Sequence, residues 1–507
     1  MKNILFTILV IIVLQSCSDS PTTDSTNDMI KKVEVSLIDR IYIEGDSTWT
    51  IKERMEHYGV PGVSIAVINN GKIEWTKSYG IVDKESKSPV TEKTLFQSAS
   101  ISKPVTAYGA LMLVEQNKVV LDKDINTFLK SWKVAENEFT KEKKVTIKNL
   151  LNHSAGITVH GFWGYSPDLP VPTLVEVLNG IPPSNSSPTV VDKVPEESFR
   201  YSGGGYNIVQ QMMIDVEEKS FPEIMNELVL LPLGMNNSTY NQPLSNEQLT
   251  MAATGYLPDG SMVKGKRHTY PEMAPAGLWT TAEDLAKFAI NIQETLKDNS
   301  NKGLSKDMTT KMLTPFVEES VGLGIFLNKM GDEIYFGHGG WNEGFSSELI
   351  ANKNKGYGVV VLTNSNHPNF ISELIRSVAL TYNWDNYVQT YKKKEVEFFL
   401  NGSFEKSLLQ YRNLKKQDPN NPTISEVNIN GLGYRFLNID QTNIAHDVFK
   451  VNKILYPDSF NVYDSYAEAC MKMGEIELAI KNYTKSISLN PQNDNAKEML
   501  KKLQKSK

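Results

Sequence analysis

Residues 96–107 read FQSASISKPVTA and contain the pattern Ser-x-x-Lys at Ser100 and Lys103. The stretch leads into a helix-forming run, ALMLVEQNKV, and residues three positions apart share one face of a helix. A partly desolvated lysine loses its proton near neutral pH and can then accept the proton of a nearby serine. The pattern therefore predicts a serine nucleophile and a lysine base at the start of a helix.

The spacing alone carries little information. It recurs at Ser261 and Lys264, and again at Ser403 and Lys406, so chance supplies it in a chain of 507 residues. A solvated helix face is the alternative reading of any single copy. The surrounding sequence has to distinguish the first copy from the others.

The segments around Ser100 predict a mixed α/β body over residues 34–388. Residues 62–76 form two β-rich runs around Asn-Asn-Gly, which predicts a hairpin. Residues 335–363 contain short strand-like runs broken by Gly and Asn, which is typical of antiparallel strands. A helix is predicted to begin after Thr281, with Thr281 capping its first turn and Asp284 returning the bond. We expect an α/β (α+β) domain with an antiparallel sheet flanked by helices.

This body resembles a known superfamily in three places. Residues 61–107, residues 150–157 (LLNHSAGI) and residues 276–285 (AGLWTTAEDL) are similar to serine β-lactamases and penicillin-binding proteins. The branch they resemble contains class C β-lactamases, D-aminopeptidases and esterases, and the likeness extends over about residues 34–385. The resemblance implies a β-lactamase-like fold and an acyl-enzyme mechanism.

A second motif of this superfamily, Tyr-x-Asn, stands here as Tyr201-Ser202-Gly203. The resemblance implies that the Tyr201 phenol shares proton transfer with Lys103, and a nearby cationic amine would favour the phenol's anion. Gly203 replaces the family's Asn, so the side chain that holds a substrate amide is missing. A preference for acylamino substrates such as penicillins is therefore in doubt.

The third motif is His338-Gly339-Gly340, at the position of the family's Lys-Thr-Gly strand. Glycine allows the backbone to approach a substrate closely, and a strand edge offers N–H groups to an oxyanion. By analogy the oxyanion donors are the N–H groups of Ser100 and Trp341, and His338, Gly340 and Trp341 contact the substrate. His338 lacks the permanent cation that a lysine offers to a carboxylate.

Composition excludes several other classes of function. Lys and Arg total 53 against 59 Asp and Glu, and no basic face is present that would neutralise nucleic-acid phosphates. The sequence has no His-Glu-x-x-His pair and no phosphate-binding loop, so we expect neither a catalytic metal nor a nucleotide cofactor. His153 is predicted to be a structural hydrogen-bonding residue, because Tyr201 and Lys103 already account for proton transfer.

The amino terminus reads as an export signal. Residues 1–16 have a basic start and a short apolar run, and Leu14-Gln15-Ser16-Cys17 resembles a bacterial lipobox. We expect Cys17 to be lipidated, residues 17–33 to form a flexible tether, and the lipid to be the sole membrane attachment, in the envelope on the periplasmic side of the outer membrane. An ordinary signal peptide with an incidental cysteine is the alternative.

Residues 389–507 have helical periodicity with a repeat of 34 residues. The recurring positions are Gly433/Ala467, Ala445/Ala479, Phe449/Tyr483 and Pro457/Pro491. The spacing resembles the tetratricopeptide repeat, which implies a protein partner, and a generic helical bundle is the alternative. Cys470 is predicted to be a small core residue rather than a reactive thiol.

These observations predict a lipid-anchored serine hydrolase without cofactors, acting on a small-molecule or peptide substrate: an ester, a D-amino-acid peptide or an amide. A penicillin-binding-protein-like carboxypeptidase or β-lactamase shares the nucleophile but requires carboxylate recognition. A third hypothesis is an inactive hydrolase scaffold that presents the carboxy-terminal repeats to a protein partner.

Overall fold

A computed structural model describes residues 23–300 and 302–505 of the chain. The predicted signal peptide and Cys17 lie outside the described residues. The strands are β1 (Ile41–Ile43), β2 (Gly62–Asn69), β3 (Lys72–Gly80), β4 (Phe96–Gln97), β5 (Trp279–Thr280), β6 (Phe326–Met330), β7 (Glu333–Asn342), β8 (Phe345–Asn352), β9 (Gly358–Thr363) and β10 (Gln389–Tyr391).

A six-stranded sheet in the order β3-β2-β9-β8-β7-β6 forms the centre of the first domain, and each neighbouring pair is antiparallel. The predicted hairpin is confirmed. Asn70 and Gly71 connect its strands with φ angles of 52° and 71°, which only a turn of the Asn-Gly type accommodates easily. The antiparallel strands predicted within residues 335–363 are likewise confirmed as β7, β8 and β9.

Helices cover both faces of this sheet. They are α1 (Thr23–Val35), α2 (Ile51–Tyr58), α3 (Ser102–Glu115), α4 (Ile147–Leu151), α5 (Leu174–Asn179), α6 (Gly203–Glu217), α7 (Phe221–Met225), α8 (Asn246–Met251), α9 (Met273–Ala276), α10 (Ala282–Leu296), α11 (Lys306–Met312) and α12 (Pro368–Thr381). The largest core joins one face to α3, α6 and α10, and a second core joins the other face to α1, α2 and α12. The expected α/β class is confirmed.

The start of α10 shows one of the two capping hydrogen bonds that the sequence predicts. Thr281 caps the helix as expected, because its hydroxyl accepts the N–H of Asp284 at 3.3 Å. Asp284 does not return the bond. Its carboxylate accepts from the Asn237 N–H at 2.7 Å and the Ser238 hydroxyl at 2.9 Å instead, since burial brings these donors from a distant loop.

The predicted tether also changes. From Thr23 onward the chain forms a packed helix rather than a flexible tether, and Ile30 and Val33 of α1 are buried in the core beside α12. Two apolar residues three positions apart on one helix face explain this docking. The correction applies to residues 23–33, because the remainder of the predicted tether is outside the described residues.

Beyond β10 the chain is helical, with α13 (Lys393–Leu400), α14 (Phe404–Gln417), α15 (Glu426–Asn438), α16 (Thr442–Leu455), α17 (Phe460–Lys472), α18 (Ile476–Leu489) and α19 (Asp494–Lys505). The α15–α16 pair begins 34 residues before the α17–α18 pair, helix for helix. Gly433 is needed for close packing, since a Cβ there would lie 2.3 Å from the Phe449 ring. Cys470 is buried, as predicted.

The helical region shares its core with the amino-terminal part of the chain. β1 pairs in parallel with β10, and Ile41 and Ile43 are buried among the carboxy-terminal helices. Arg435 also forms an ion pair with Asp46 at 2.5 Å. Residues 41–46 therefore contribute to the helical unit, although the sequence places them in the hydrolase body, because a long-range strand pairing leaves no local signal. None of the helices that the structure describes is long and apolar enough to cross a membrane.

Candidate active site

Ser100 lies in a 3₁₀ turn, Ala99–Ile101, immediately before α3. Ala99 adopts a φ angle of 50°, which is unusual for a residue with a side chain. The Ser102 hydroxyl holds the turn, donating to the Ala99 carbonyl at 2.5 Å and accepting from the Leu278 N–H at 2.9 Å. Ser100 itself is half-buried and lines a cleft of about 1340 Å³, so its hydroxyl is accessible to a substrate.

Lys103 lies one helical turn after Ser100, as the sequence predicts. Its Nζ is 3.0 Å from the Ser100 Oγ and 2.9 Å from the Pro275 carbonyl oxygen in α9. The side chain is only 2% exposed, and burial lowers its pKa from 10.5 to about 7. Near neutral pH a substantial fraction of the amine is thus free to accept the serine proton.

Tyr201 comes from the loop before α6 and reaches the same cleft. Lys103 Nζ lies 4.8 Å from the centre of its ring, and the Tyr201 hydroxyl lies 3.5 Å from Nε2 of His338. The expectation of a favoured phenolate is wrong. Burial raises the Tyr201 pKa well above its usual value, outweighing the opposing effect of the Ser100 hydroxyl, and the lysine faces the ring rather than the oxygen. Tyr201 is therefore a neutral hydroxyl that can relay a proton.

His338 projects from β7 into the cleft. Its Nδ1 lies 2.6 Å from the Gly339 carbonyl oxygen, so the neutral ring donates there and leaves Nε2 as an acceptor towards Tyr201. Burial and the charge of nearby Lys103 lower its pKa to about 3. His338 is uncharged at neutral pH, which agrees with the prediction that it cannot replace the lysine of Lys-Thr-Gly as a cation.

Gly340 of β7 lies where any side chain would clash with its neighbours. A Cβ on Gly340 would lie 2.2 Å from both the Ser98 carbonyl oxygen and the Ser347 hydroxyl, so only glycine lets β7 approach the turn that contains Ser100. Trp341 follows it, lines the cleft and is 46% exposed. The predicted substrate-binding residues therefore lie beside Ser100 in space.

A side chain at Gly203 would also clash with its neighbours. A Cβ at this position would lie 2.8 Å from the Phe162 ring and 3.1 Å from the His160 carbonyl oxygen. Both residues line the cleft. The space that the family's Asn side chain would need is thus occupied here, and an acylamino group loses its partner for that reason.

His153 supports the site from behind. Its Nδ1 accepts the Ser202 N–H at 3.1 Å, and its ring lies 4.4 Å from that of Tyr201. Burial lowers its pKa well below the usual value, so the ring stays neutral. These contacts agree with the structural role that the sequence predicts.

Several lining residues escape sequence reasoning. Phe326 stacks on Tyr201 with ring centres 6.2 Å apart, and the ring of Trp163 meets Trp341 at 6.0 Å. Glu348 on β8 also lines the cleft, and burial raises its pKa to about 7. No motif marks these residues. The sequence signal for Glu348 is a charged residue inside the strand-like run SSELIANK.

Within residues 23–300 and 302–505, three potential metal ligands lie together outside the cleft. The ligand atoms of His446, Cys470 and Glu475 are within 4.8 Å of one another in the carboxy-terminal helices. Burial raises the Cys470 pKa to about 11, so the thiol is protonated near neutral pH. The expectation of a reaction without metal or nucleotide remains a prediction.

The family model described as Beta-lactamase matches residues 49–381. Protein flp of Staphylococcus aureus (strain MW2) is 27% identical over 324 residues, and this match covers 62% of each chain. The chain thus spans less than two thirds of the length of that relative.

Two solved structures are also similar. An octameric penicillin-binding protein homologue from Pyrococcus abyssi has a TM-score of 0.56 and 26% identity, over 71% of this chain and 80% of the homologue. A D-amino acid amidase from Ochrobactrum anthropi has a TM-score of 0.53 and 21% identity, over 70% of this chain and 96% of the amidase. At that identity the second likeness concerns the fold alone.

Proposed function

Because the chain belongs to the Beta-lactamase family of serine hydrolases, we propose that it is a lipid-anchored hydrolase that forms an acyl-enzyme with esters, D-amino-acid peptides or amides. The observation that carries the proposal is the 3.0 Å separation between Ser100 Oγ and a buried Lys103 Nζ whose pKa is about 7. A lysine with an ordinary pKa would hold its proton and could not activate the serine.

The reaction begins when Ser100 Oγ bonds to the substrate carbonyl carbon and its proton passes to Lys103. The carbonyl oxygen becomes an oxyanion, which the N–H groups of Ser100 and Trp341 stabilise. As the bond to the leaving group breaks, the leaving group takes the proton that Lys103 accepted, and the neutral Tyr201 hydroxyl beside Ser100 hydrogen-bonds the departing atom. Water then attacks the acyl-enzyme with the same groups in the reverse order, and the acid and free Ser100 are released.

Esters are favoured over β-lactams and carboxylate-ended peptides. Among the described residues that line the cleft, Lys103 is the only lysine and no arginine is present, and His338 is neutral. A carboxylate on the substrate would therefore find no permanent cation, and an acylamino group would find Phe162 where the family's Asn side chain would extend.

Labelling with a serine-reactive fluorophosphonate tests the nucleophile. The wild-type protein should be labelled, Ser100→Ala should not, and Ser261→Ala should be labelled normally because it alters a chance copy of Ser-x-x-Lys on the surface. An unlabelled wild type, or equal labelling of Ser100→Ala, would instead favour the inactive scaffold. Turnover of a nitrophenyl ester should exceed that of a chromogenic cephalosporin, and the opposite order would favour the β-lactamase alternative.

The two ends of the chain complete the proposal. Lipidation of Cys17 would anchor the protein in the envelope, on the periplasmic side of the outer membrane, and palmitate incorporation that disappears in Cys17→Ser tests it. The helices from α13 onward would act as a tetratricopeptide-like array for a protein partner, which the 34-residue offset between helix pairs supports. Because Ile41 and Ile43 pack among these helices, truncation after Lys392 should lower the stability of the remaining domain, and any folded fraction should still hydrolyse esters because Ser100, Lys103 and Tyr201 precede the cut.

A further inference from the structure

The catalytic cleft continues across the edge of β7. β6 pairs with β7 only as far as Gly337, so within the described sheet residues 338–342 have no strand on that side. The cleft that contains Ser100 passes this edge and is also lined by Glu348 of β8 and Ile371 of α12. A substrate in the cleft can therefore contact groups beyond the strand that carries His338.

One face of the sheet presents a carboxylate and an aromatic ring to this extension. In the register of β7 and β8, Gly339 is opposite Glu348 and Trp341 is opposite Ser346. Side chains of directly opposed residues lie on the same face of the sheet. Glu348 and Trp341 are therefore diagonal neighbours on one face, with Cα atoms roughly 7–8 Å apart. Gly339 leaves the space between them free, since a Cβ there would lie 2.7 Å from Oε2 of Glu348.

The one titratable described neighbour whose pKa responds to the Glu348 carboxylate is the Tyr387 phenol, a neutral group. The carboxylate makes no hydrogen bond or ion pair with any described residue, and burial alone raises its pKa to about 7. The charged residues of α12 are engaged elsewhere: Glu373 pairs with Arg54 at 2.5 Å, and Arg376 donates to the Ile38 carbonyl oxygen at 3.1 Å. A half-buried carboxylate without a hydrogen bond or an ion pair is partly desolvated at a cost in free energy, and an incoming cation would remove that cost.

The Trp341 ring offers the complementary contact. It is 46% exposed, and its neighbour Trp163 is 63% exposed at the same cleft. The face of an indole ring attracts ammonium groups, more strongly when the surrounding water is excluded. A carboxylate beside an exposed indole is therefore a site for an ammonium group.

We propose that the substrate carries an ammonium group, which binds between the Glu348 carboxylate and the Trp341 ring while its carbonyl carbon faces Ser100. This inference rests on the proposed hydrolase function and specifies its substrate class. Hydrolases that select carboxylate-ended substrates need a cation in the cleft, whereas Glu348 offers an anion. The proposal therefore separates this protein from those hydrolases.

Matched ester series test the proposal on the full chain. One series varies the acyl group of nitrophenyl esters at equal chain length, ending in an ammonium, a methyl or a carboxylate group. The other varies the alcohol of acetate esters in the same way. In at least one series the ammonium ester should exceed the methyl ester by about 10- to 100-fold in kcat/KM, as expected for a hydrogen bond to a charged group.

Variants at residue 348 decide whether Glu348 is responsible. Glu348→Gln should reduce the ammonium preference to about 1, and Glu348→Lys should reverse it towards the carboxylate ester. Glu319→Gln, which removes an exposed carboxylate that does not line the cleft, should keep the wild-type preference. Circular dichroism checks that each variant is folded, and the Gln substitution, which keeps the side-chain shape, is the primary test.

The outcomes separate this inference from the proposed function. If neutral esters are hydrolysed without an ammonium preference in either series, or if Glu348→Gln retains that preference, the inference is overturned and the hydrolase remains. If nothing is hydrolysed and the fluorophosphonate does not label Ser100, the proposed function fails. Calorimetric titration with butylammonium then tests the ammonium site by itself. Binding that is at least tenfold weaker in Glu348→Gln would support the site, and absence of binding to the wild type would overturn it.

Discussion

Replacing Lys103 by Met should abolish hydrolysis and at the same time stabilise the protein at low pH. The two side chains have similar length, but Met carries no charge into the buried position. Burial holds the pKa of Lys103 at about 7 against its ordinary value of 10.5, so the folded protein resists its protonation. Between these two pKa values the unfolded chain binds more protons than the folded one, and stability must rise with pH.

The size of the effect follows from the shift. A difference of about 3.5 between the two pKa values lowers the free energy of unfolding by about 5 kcal/mol below pH 7, where Lys103 is protonated in both the folded and the unfolded state. At pH 9 the folded protein has lost the proton, and the remaining penalty is about 2 kcal/mol. Met also loses the two hydrogen bonds of Nζ, which contribute about 1 kcal/mol each. Net stabilisation of about 2–3 kcal/mol is expected at pH 6 and about zero at pH 9.

Urea unfolding followed by tryptophan fluorescence measures this difference. All seven tryptophans lie between residues 49 and 384, so the signal reports on the hydrolase domain rather than on the carboxy-terminal helices. Wild type and Lys103→Met are compared at pH 6, 7.5 and 9, and other titrating groups largely cancel between them. A stability difference that is the same at all three values would refute the claim that burial lowers the lysine pKa.

Three further predictions concern catalysis and packing. The kcat/KM for a neutral ester should rise with pH and level off above about 7, as Lys103 loses its proton, and a profile that is flat between pH 5 and 9 would contradict this base. Gly340→Ala should abolish ester hydrolysis by displacing the nucleophile turn, whereas Gly161→Ala, whose Cβ would meet nothing within 4 Å in the same cleft, should be normal. Gly203→Asn should lower the unfolding free energy by about 1–3 kcal/mol through a clash with Phe162, and Phe162→Ala should relieve it; additive losses in the double variant would argue against that clash.

Predictions from the sequence succeeded where the interaction is local. The hairpin follows from β-rich runs around Asn70 and Gly71, and the Ser100–Lys103 contact follows from spacing within one helical turn. The return bond expected from Asp284 failed even though it is local, because buried donors from a distant loop compete for that carboxylate. The helical register of residues 389–507 was visible because each repeat packs mainly on its neighbours.

Charge states were harder to predict than positions. Tyr201 reaches the cleft as its motif suggests, but its protonation depends on burial and on the side of the ring that Lys103 approaches. The charge state of Glu348 depends on the register of β7 and β8 and on the lack of a cation beside it among the described residues. Such effects arise from groups far apart in the chain, and spacing does not encode the desolvation they create.

By itself the sequence predicted the contact between Ser100 and Lys103, the antiparallel sheet and the offset of 34 residues between helix pairs, because helical spacing and strand alternation are properties of neighbouring residues. The tertiary structure decided that Lys103 is buried deeply enough to lose its proton near neutral pH, that Phe162 occupies the space beside Gly203, and that Ile41 packs in the carboxy-terminal core. Burial and long-range pairing depend on the whole chain, so only the folded molecule specifies them.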